Sequence, residues 1–339
     1  MAFSSRFYDI LFKGSFFFVG GLAGSMYATH HHHNNLKILK QDLNILHPPT
    51  VEFGGEDKVV VSSDPHVKDI LKYGNPGPIA DALARKTYVA GYDRRLRHPA
   101  WTAQHLTAAS LRPPPGEPTG DRGKSNFHED EDLPIAFRAR LQDYFRSGYD
   151  RGHMVPAADA KVSQEAMDDT FLLSNMAPQV GDGFNRHYWA YLEDWCRRLT
   201  STFADVYVFT VPLYLPRMGT DGKWRVTHEV IGSPPNVAVP THFAKVVLAS
   251  KPTSPSTPDV LEISTGAFVL PNAAIPESTP LESFLMPIEA VEHAAGLQLF
   301  SKAVKAAAKP ICTTTKCDLI IRRFDDAQKK PKAISAPSK

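Results

Sequence analysis

Two stretches decide how this chain reads: Ser147-Gly148-Tyr149-Asp150-Arg151-Gly152-His153-Met154-Val155-Pro156, and Gly183-Phe184-Asn185-Arg186-His187-Tyr188-Trp189-Ala190-Tyr191-Leu192-Glu193-Asp194-Trp195-Cys196-Arg197. The first sets one imidazole beside an Arg and a Gly. The second offers an Asn, a Glu and an Arg at intervals of eight and four. A neutral imidazole can take a proton from water near neutral pH. Oxygen donors suit Mg²⁺, which keeps most of its waters and often takes one or two protein ligands. A guanidinium holds phosphate through forked hydrogen bonds. These are the parts that one-metal phosphodiester chemistry requires.

A third block, Leu173-Ser174-Asn175-Met176-Ala177-Pro178-Gln179, lies between them. The Asp150-Arg151-Gly152-His153 run, this block and the Asn185…Glu193…Arg197 spacing follow one another in order. In that arrangement the chain resembles the DNA/RNA non-specific endonuclease family, nearest its mitochondrial endonuclease G-like branch. The resemblance covers roughly residues 68–325. It implies an α+β, ββα-metal (His-Me finger) fold with a central antiparallel sheet flanked by helices. It also implies cleavage of DNA and RNA with little sequence preference, Mg²⁺ with Mn²⁺ able to substitute, 5′-phosphate and 3′-hydroxyl ends, and a homodimer.

The residues then take roles. His153 is the expected general base; the chain has 14 histidines, so its context singles it out. Gly152 lets the backbone come close to a substrate. Asn185 is the expected metal ligand, its amide oxygen being a hard neutral donor, although Asn is equally a good helix N-cap. Eight residues of straight helix rise about 12 Å, so Asn185 binds the ion and Glu193 orients its waters. Arg197, one turn on, is expected to pair with Glu193 and to face phosphate. The bland alternative for that pair is an ordinary surface couple. Arg151 is expected to neutralise charge developing on phosphorus. Asn175 matches a family position that lines the site. Arg122 is expected to reach the substrate. Asp150 is read as a brace for its turn, and Trp189, Tyr191 and Trp195 as packing.

Composition permits this reading without demanding it. The 339 residues carry 38 Lys+Arg against 36 Asp+Glu, a formal net charge of only +2. A nucleic-acid binder often has a larger basic excess, so attraction must come from local clusters. The hydrophobic fraction of 42% promises a sizeable core. The 3 cysteines make no disulfide framework. Cys312 and Cys317 lack the companions of a zinc site, and a bond between them is left open. Cys196 reads as packing.

Along the chain, residues 1–29 hold Arg6 and Lys13 and then an apolar run from Phe16 to Ala28. The run is short of the roughly 20 residues of a confident membrane span. It is read as a mitochondrial targeting segment able to anchor the protein at the inner membrane, with a secretory signal peptide as the alternative. Residues 30–64, with the His30–His33 tract, read as a flexible linker or arm. The endonuclease domain is expected over 65–325, opening on a helix capped by Asp64 and Pro65, with a disordered basic tail over 326–339.

Strands are expected at Lys86–Asp93, Asp205–Leu215, Lys223–Ile231, Thr241–Ala249, Val260–Leu270 and Cys317–Phe324, and helices at 287–295 and 299–307. The Pro- and Gly-rich stretch 112–134 is long for a loop and is expected to be either mobile or functional. Gly123-Lys124-Ser125 lacks the earlier Gly and the strand of a P-loop. Two further readings stay open: a catalytically inactive, membrane-tethered nucleic-acid-binding protein, and a secreted nutritional nuclease of the same chemistry.

Overall fold

The computed structural model describes residues 78–321. The expected targeting segment, linker, capped helix start and basic tail lie outside the described residues. The strands are β1 (Ala80–Ala84), β2 (Val89–Asp93), β3 (His98–Leu106), β4 (Asp150–His153), β5 (Met176–Gln179), β6 (Asp205–Leu213), β7 (Arg217–Met218), β8 (Trp224–Arg225), β9 (Val230–Ile231), β10 (Val237–Ala238), β11 (His242–Ser254), β12 (Thr257–Pro271), β13 (Leu285–Met286) and β14 (Lys309–Pro310). The α-helices are α1 (Leu141–Tyr144), α2 (Gln164–Asp169), α3 (Trp189–Leu199), α4 (Ile288–Ala295), α5 (Lys302–Ala307) and α6 (Ile311–Thr314).

The main sheet runs β1-β2-β3-β6-β11-β12-β13, antiparallel throughout, with β14 added parallel to β12. The sequence explains its centre. β6 and β11 are rich in β-branched and aromatic residues, which suit a pleated, packed surface. α3 repeats Trp189, Leu192, Trp195, Cys196 and Leu199 at helical spacing and lays this stripe on Phe243, Val247 and Phe268 of the sheet. Each large side chain so buried contributes roughly 2 kcal/mol. Glu193 and Arg197 share one edge of the same helix, beside the stripe, and remain partly exposed.

The ββα unit is built on that base. β4 and β5 pair antiparallel with Gly152 opposite Ala177 and His153 opposite Met176. After β5 the chain turns through Gly183, at φ +74°, where a Cβ would meet that of Ala274 at 2.6 Å. Asp182 and Gly183 are non-helical, and beyond them a wide first turn runs directly into α3. Asn185 therefore sits in this wider turn, with its N–H donating to the Val180 carbonyl at 2.9 Å. With that bond made inside the turn, Asn185 does not stand at the N-cap.

Several expectations need correction. Lys223–Ile231 is not one strand: it holds only the short β8 and β9, paired with β7 and β10. Residues 317–321 form no strand; there Lys316 and Asp318 offer their carbonyls to Trp195 and Arg198 of α3. The strands expected at Thr241–Ala249 and Val260–Leu270 extend toward each other through the residues between them as one long β11–β12 hairpin. β1 and β3 carried too weak an apolar alternation to be read. The 112–134 stretch is tied down: Gly120 N–H donates to the Lys161 carbonyl at 3.0 Å and the Ser125 hydroxyl to Asp168 at 2.6 Å. Cys312 and Cys317 form a disulfide, and Cys196 is free and buried. Among the described residues no helix is long and apolar enough to cross a membrane.

Candidate active site

His153 ends β4, and its ring lies in an aromatic slot. Phe127 is 5.6 Å away and Phe171 5.0 Å, edge-on, centroid to centroid. The residue is 9% exposed and its Nε2 has no hydrogen-bond partner among the described residues. Burial, helped by the Arg122 guanidinium, pulls its pKa down to about 3. The imidazole is thus neutral at physiological pH, with a lone pair at hand.

Gly152 has a steric reason to be Gly: a Cβ there would stand 2.1 Å from Oε1 of Gln179. Gln179 is fully buried, and both its amide atoms lack partners.

Asp150 is more than a turn brace. Its carboxylate accepts from Asn185 Nδ2 at 2.8 Å and from Arg186 Nε and Nη2 at 2.8 and 2.6 Å. Burial opposes its ionisation, but the hydrogen bonds from Arg186 and Asn185 outweigh that and hold its pKa below the ordinary value. A carboxylate can only accept, so the Asn185 amide must present N–H to Asp150 and turn its carbonyl oxygen the other way. That oxygen is a hard neutral donor, the type a divalent oxygen-seeking cation takes. A single amide oxygen as protein donor fits a hydrated hard ion. The pairing of Asp150 with Asn185 and Arg186 was not read from the sequence. Asp150 lies 35 residues before Asn185, so no local pattern signals the contact.

Glu193 and Arg197 do not form the expected pair. Arg197 Nη1 donates to Asp159, which is buried, at 2.7 Å, and its Nη2 lies 3.7 Å from Asp194. Asp159 also accepts from Gln104. Asp159 wins because it is already buried and needs a charged partner. Glu193 has charge around it and no direct partner among the described residues: burial pushes its pKa up to about 7, against the opposing pull of Lys245, Arg197 and Arg122, with Asp159 pushing the same way as burial.

Asn175 is placed differently from its expected catalytic role. It is fully buried. Its Oδ1 accepts from Val155 N–H at 3.0 Å, and its Nδ2 donates to the Val155 and Thr170 carbonyls at 3.0 and 2.9 Å. Its carbonyl takes Met154 N–H at 2.9 Å. It is a clamp on the two residues after His153. Arg151 lies over Phe127, 4.3 Å from the ring centroid, and the exposed Arg122 over Phe171 at 5.6 Å. Both guanidinium groups thus border the slot of His153.

Comparison with known proteins follows this geometry. Residues 66–306 match the family model for DNA/RNA non-specific endonucleases. The chain belongs to that family.

Among its relatives, a mitochondrial nuclease 1 of Schizosaccharomyces pombe is 44% identical over 313 residues, covering 92% of this chain and 94% of the relative. A mitochondrial nuclease of Saccharomyces cerevisiae is 48% identical, covering 79% and 82%. The mitochondrial endonuclease G of Homo sapiens is 44% identical, covering 71% and 75%. A crystal structure of an EndoG/EndoGI complex, which addresses EndoG inhibition, contains a chain 43% identical with a TM-score of 0.62, covering 74% of this chain and 97% of that one. As a member of the DNA/RNA non-specific endonuclease family this protein is a nuclease with the ββα-metal fold. The family is metal-dependent, and nucleic acid is the substrate its membership implies.

Proposed function

We propose that the protein is a mitochondrial, sugar-non-specific endonuclease that hydrolyses phosphodiester bonds of DNA and RNA, with His153 as general base and Asn185 as the one protein ligand of a Mg²⁺ that Mn²⁺ can replace. The observation that supports this is the presence, on one ββα unit, of a buried imidazole whose Nε2 has no partner among the described residues and an Asn amide whose N–H is taken by the Asp150 carboxylate, leaving its carbonyl oxygen for another partner.

His153 takes the proton of the attacking water. Arg151 and Arg122 sit over the two Phe rings beside it and hold the phosphate by its oxygens. Glu193 fixes the orientation of waters in the cleft, and Arg197, held by Asp159, keeps positive charge on that side. When bound, the cation supplies Lewis-acid stabilisation of charge on phosphorus and on the departing oxygen. Contacts to the backbone carry no base identity, which explains weak sequence preference. The domain acting in this way spans 65–325, works as a homodimer, and follows a targeting segment that holds it at the inner membrane.

Plasmid nicking with Mg²⁺ or chelator tests the reading. His153→Ala loses at least about a hundredfold in rate, and Asn185→Ala loses a comparable amount and needs more metal. Full activity of either variant, or of wild type in chelator, overturns it. Cell fractionation tests the location.

A further inference from the structure

The turn that leads into β4 carries an exposed aromatic ring. α1 is capped by Phe145, which is 72% exposed; Leu141, four residues earlier on the same face, is 40% exposed. The ring does not sit on a loose tip. Phe145 N–H donates to the Gln142 carbonyl at 3.2 Å. Ser147 closes the next turn, its N–H and its hydroxyl both donating to the carbonyl of the buried Tyr144, at 3.3 and 3.0 Å. Tyr149 N–H donates to the Ser147 hydroxyl at 3.2 Å, and β4 starts at the next residue. This bracket of hydrogen bonds holds Phe145 out in solvent at a fixed place.

Arg146 is exposed and lays its guanidinium 5.1 Å from the centroid of that ring. Its backbone stands at φ +55°, a left-handed conformation that Gly takes freely and Arg does not. Strain kept at an exposed position points to what the side chain does there. Arg85, Arg94, Arg186, Arg197 and Arg198 each pair with an Asp. Among the described residues no carboxylate forms an ion pair with Arg146, nor with Arg151 beside the slot. Acids along this stretch are engaged elsewhere: Asp143 accepts from Arg140 N–H and from Asn236, both at 2.7 Å, and Glu129 from Leu141 N–H at 3.2 Å. The last bond also sets the start of α1 close to the slot. Glu129 is two residues from Phe127, whose ring faces both Arg151 and His153. Phe145 and Arg146 lie one helical turn further out.

We propose that Phe145 and Arg146 form a substrate subsite for an unpaired nucleotide at the rim of the cleft, the ring stacking on its base and the guanidinium holding its phosphate. This rests on the phosphodiesterase reading above and adds to it a preference for unpaired strands over duplex. A nucleic-acid strand supplies what each group lacks: a flat face for the ring and an anion for the cation. Every base has a π-face, so stacking of this kind is tolerant of sequence, and a guanidinium matches phosphate through two parallel hydrogen bonds. Unpaired bases can be splayed out onto an aromatic side chain. In a duplex the bases are stacked on one another, and only the phosphate contact remains.

The test uses the full chain with Mg²⁺. Wild type, Phe145→Ala and Arg146→Gly are compared on a single-stranded oligonucleotide and on the same sequence as a duplex, with kcat and KM measured at several salt concentrations alongside thermal melts. Phe145→Ala is expected to raise KM on the single strand by about tenfold, as loss of one stacked base does, and on the duplex by less than about threefold. Arg146→Gly is expected to raise KM on both substrates by about threefold or more and to lower the salt slope by about one. Because Gly relieves the left-handed backbone, that variant should melt no lower than wild type. For both variants kcat should change by less than about threefold, the mark of lost uniform binding. A single-strand KM within about twofold of wild type for Phe145→Ala, or equal rises on single strand and duplex, overturns the proposal. So does a lowered melt of Arg146→Gly with an unchanged salt slope, which would make the turn structural only. A wild-type protein inert on both substrates refutes the phosphodiesterase reading itself, and the subsite with it.

Discussion

Replacing Glu193 by Gln should stabilise the metal-free protein as pH rises, while removing activity. Burial raises the pKa of this carboxyl from 4.5 in the unfolded chain to about 7 in the folded one. A raised folded pKa contributes stability that is complete below pH 4.5 and is lost as pH climbs through about 7. Each unit is worth about 1.4 kcal/mol, so the ceiling is roughly 3 kcal/mol. Solvent reaching the open edge of α3 reduces this, and about 1–3 kcal/mol is expected. Gln mimics the protonated acid in shape and neutrality.

The variant and wild type should therefore differ little at pH 4.5, and the variant should gain steadily up to pH 8. His153 works in the opposite sense: its folded pKa of about 3 makes stability fall as pH drops below its unfolded value. That contribution is shared by both proteins and cancels in the difference. Urea denaturation in chelator at several pH values between 4.5 and 8 measures it. A difference constant to within about 0.5 kcal/mol, or one that favours wild type at high pH, would falsify the view that Glu193 is held in an environment hostile to its charge.

Two other outcomes follow from the geometry. Asp150→Asn removes the acceptor-only anchor of the Asn185 amide and uncouples Arg186; the Mg²⁺ concentration for half-maximal cleavage should rise by about tenfold or more, as when other outer partners of metal ligands are lost, and an unchanged titration would show that Asn185 does not need orienting. Gly152→Ala drives a Cβ to 2.1 Å from the Gln179 amide; with Gln179 fully buried it should cost about 1–3 kcal/mol, read as a lowered melting temperature, and an undisturbed melt would mean that Gln179 moves freely.

The main antiparallel sheet, its central strands and the last two longer helices were readable because their patterns are local: β-branched runs for β6, β11 and β12, and helical spacing for α4 and α5. β1 and β3 were missed because their Ala, Asp, Gln and His residues leave little alternation to see; pairing with β2 and β6 makes them strands. The Lys223–Ile231 reading failed for the converse reason, since apolar residues there find no broad sheet to join and stay largely exposed.

Within the site, the chemistry-bearing residue types and their order were legible from sequence: one His after Arg-Gly, one Asn, one Glu, one Arg. An amide that can serve a cation and an imidazole that can serve as base are properties of the side chains themselves. Which partner each one takes is a matter of distances between segments far apart in the chain. Arg197 went to Asp159 and not to its helical neighbour Glu193, Asp150 turned out to aim the Asn185 amide, and Asn175 became a backbone clamp. Lys245, unremarkable in a strand-like run, meets the Met154 carbonyl only once β11 lies against the end of β4. Sequence settles what a group can donate or accept; burial and long-range packing decide whether it is charged, and toward what.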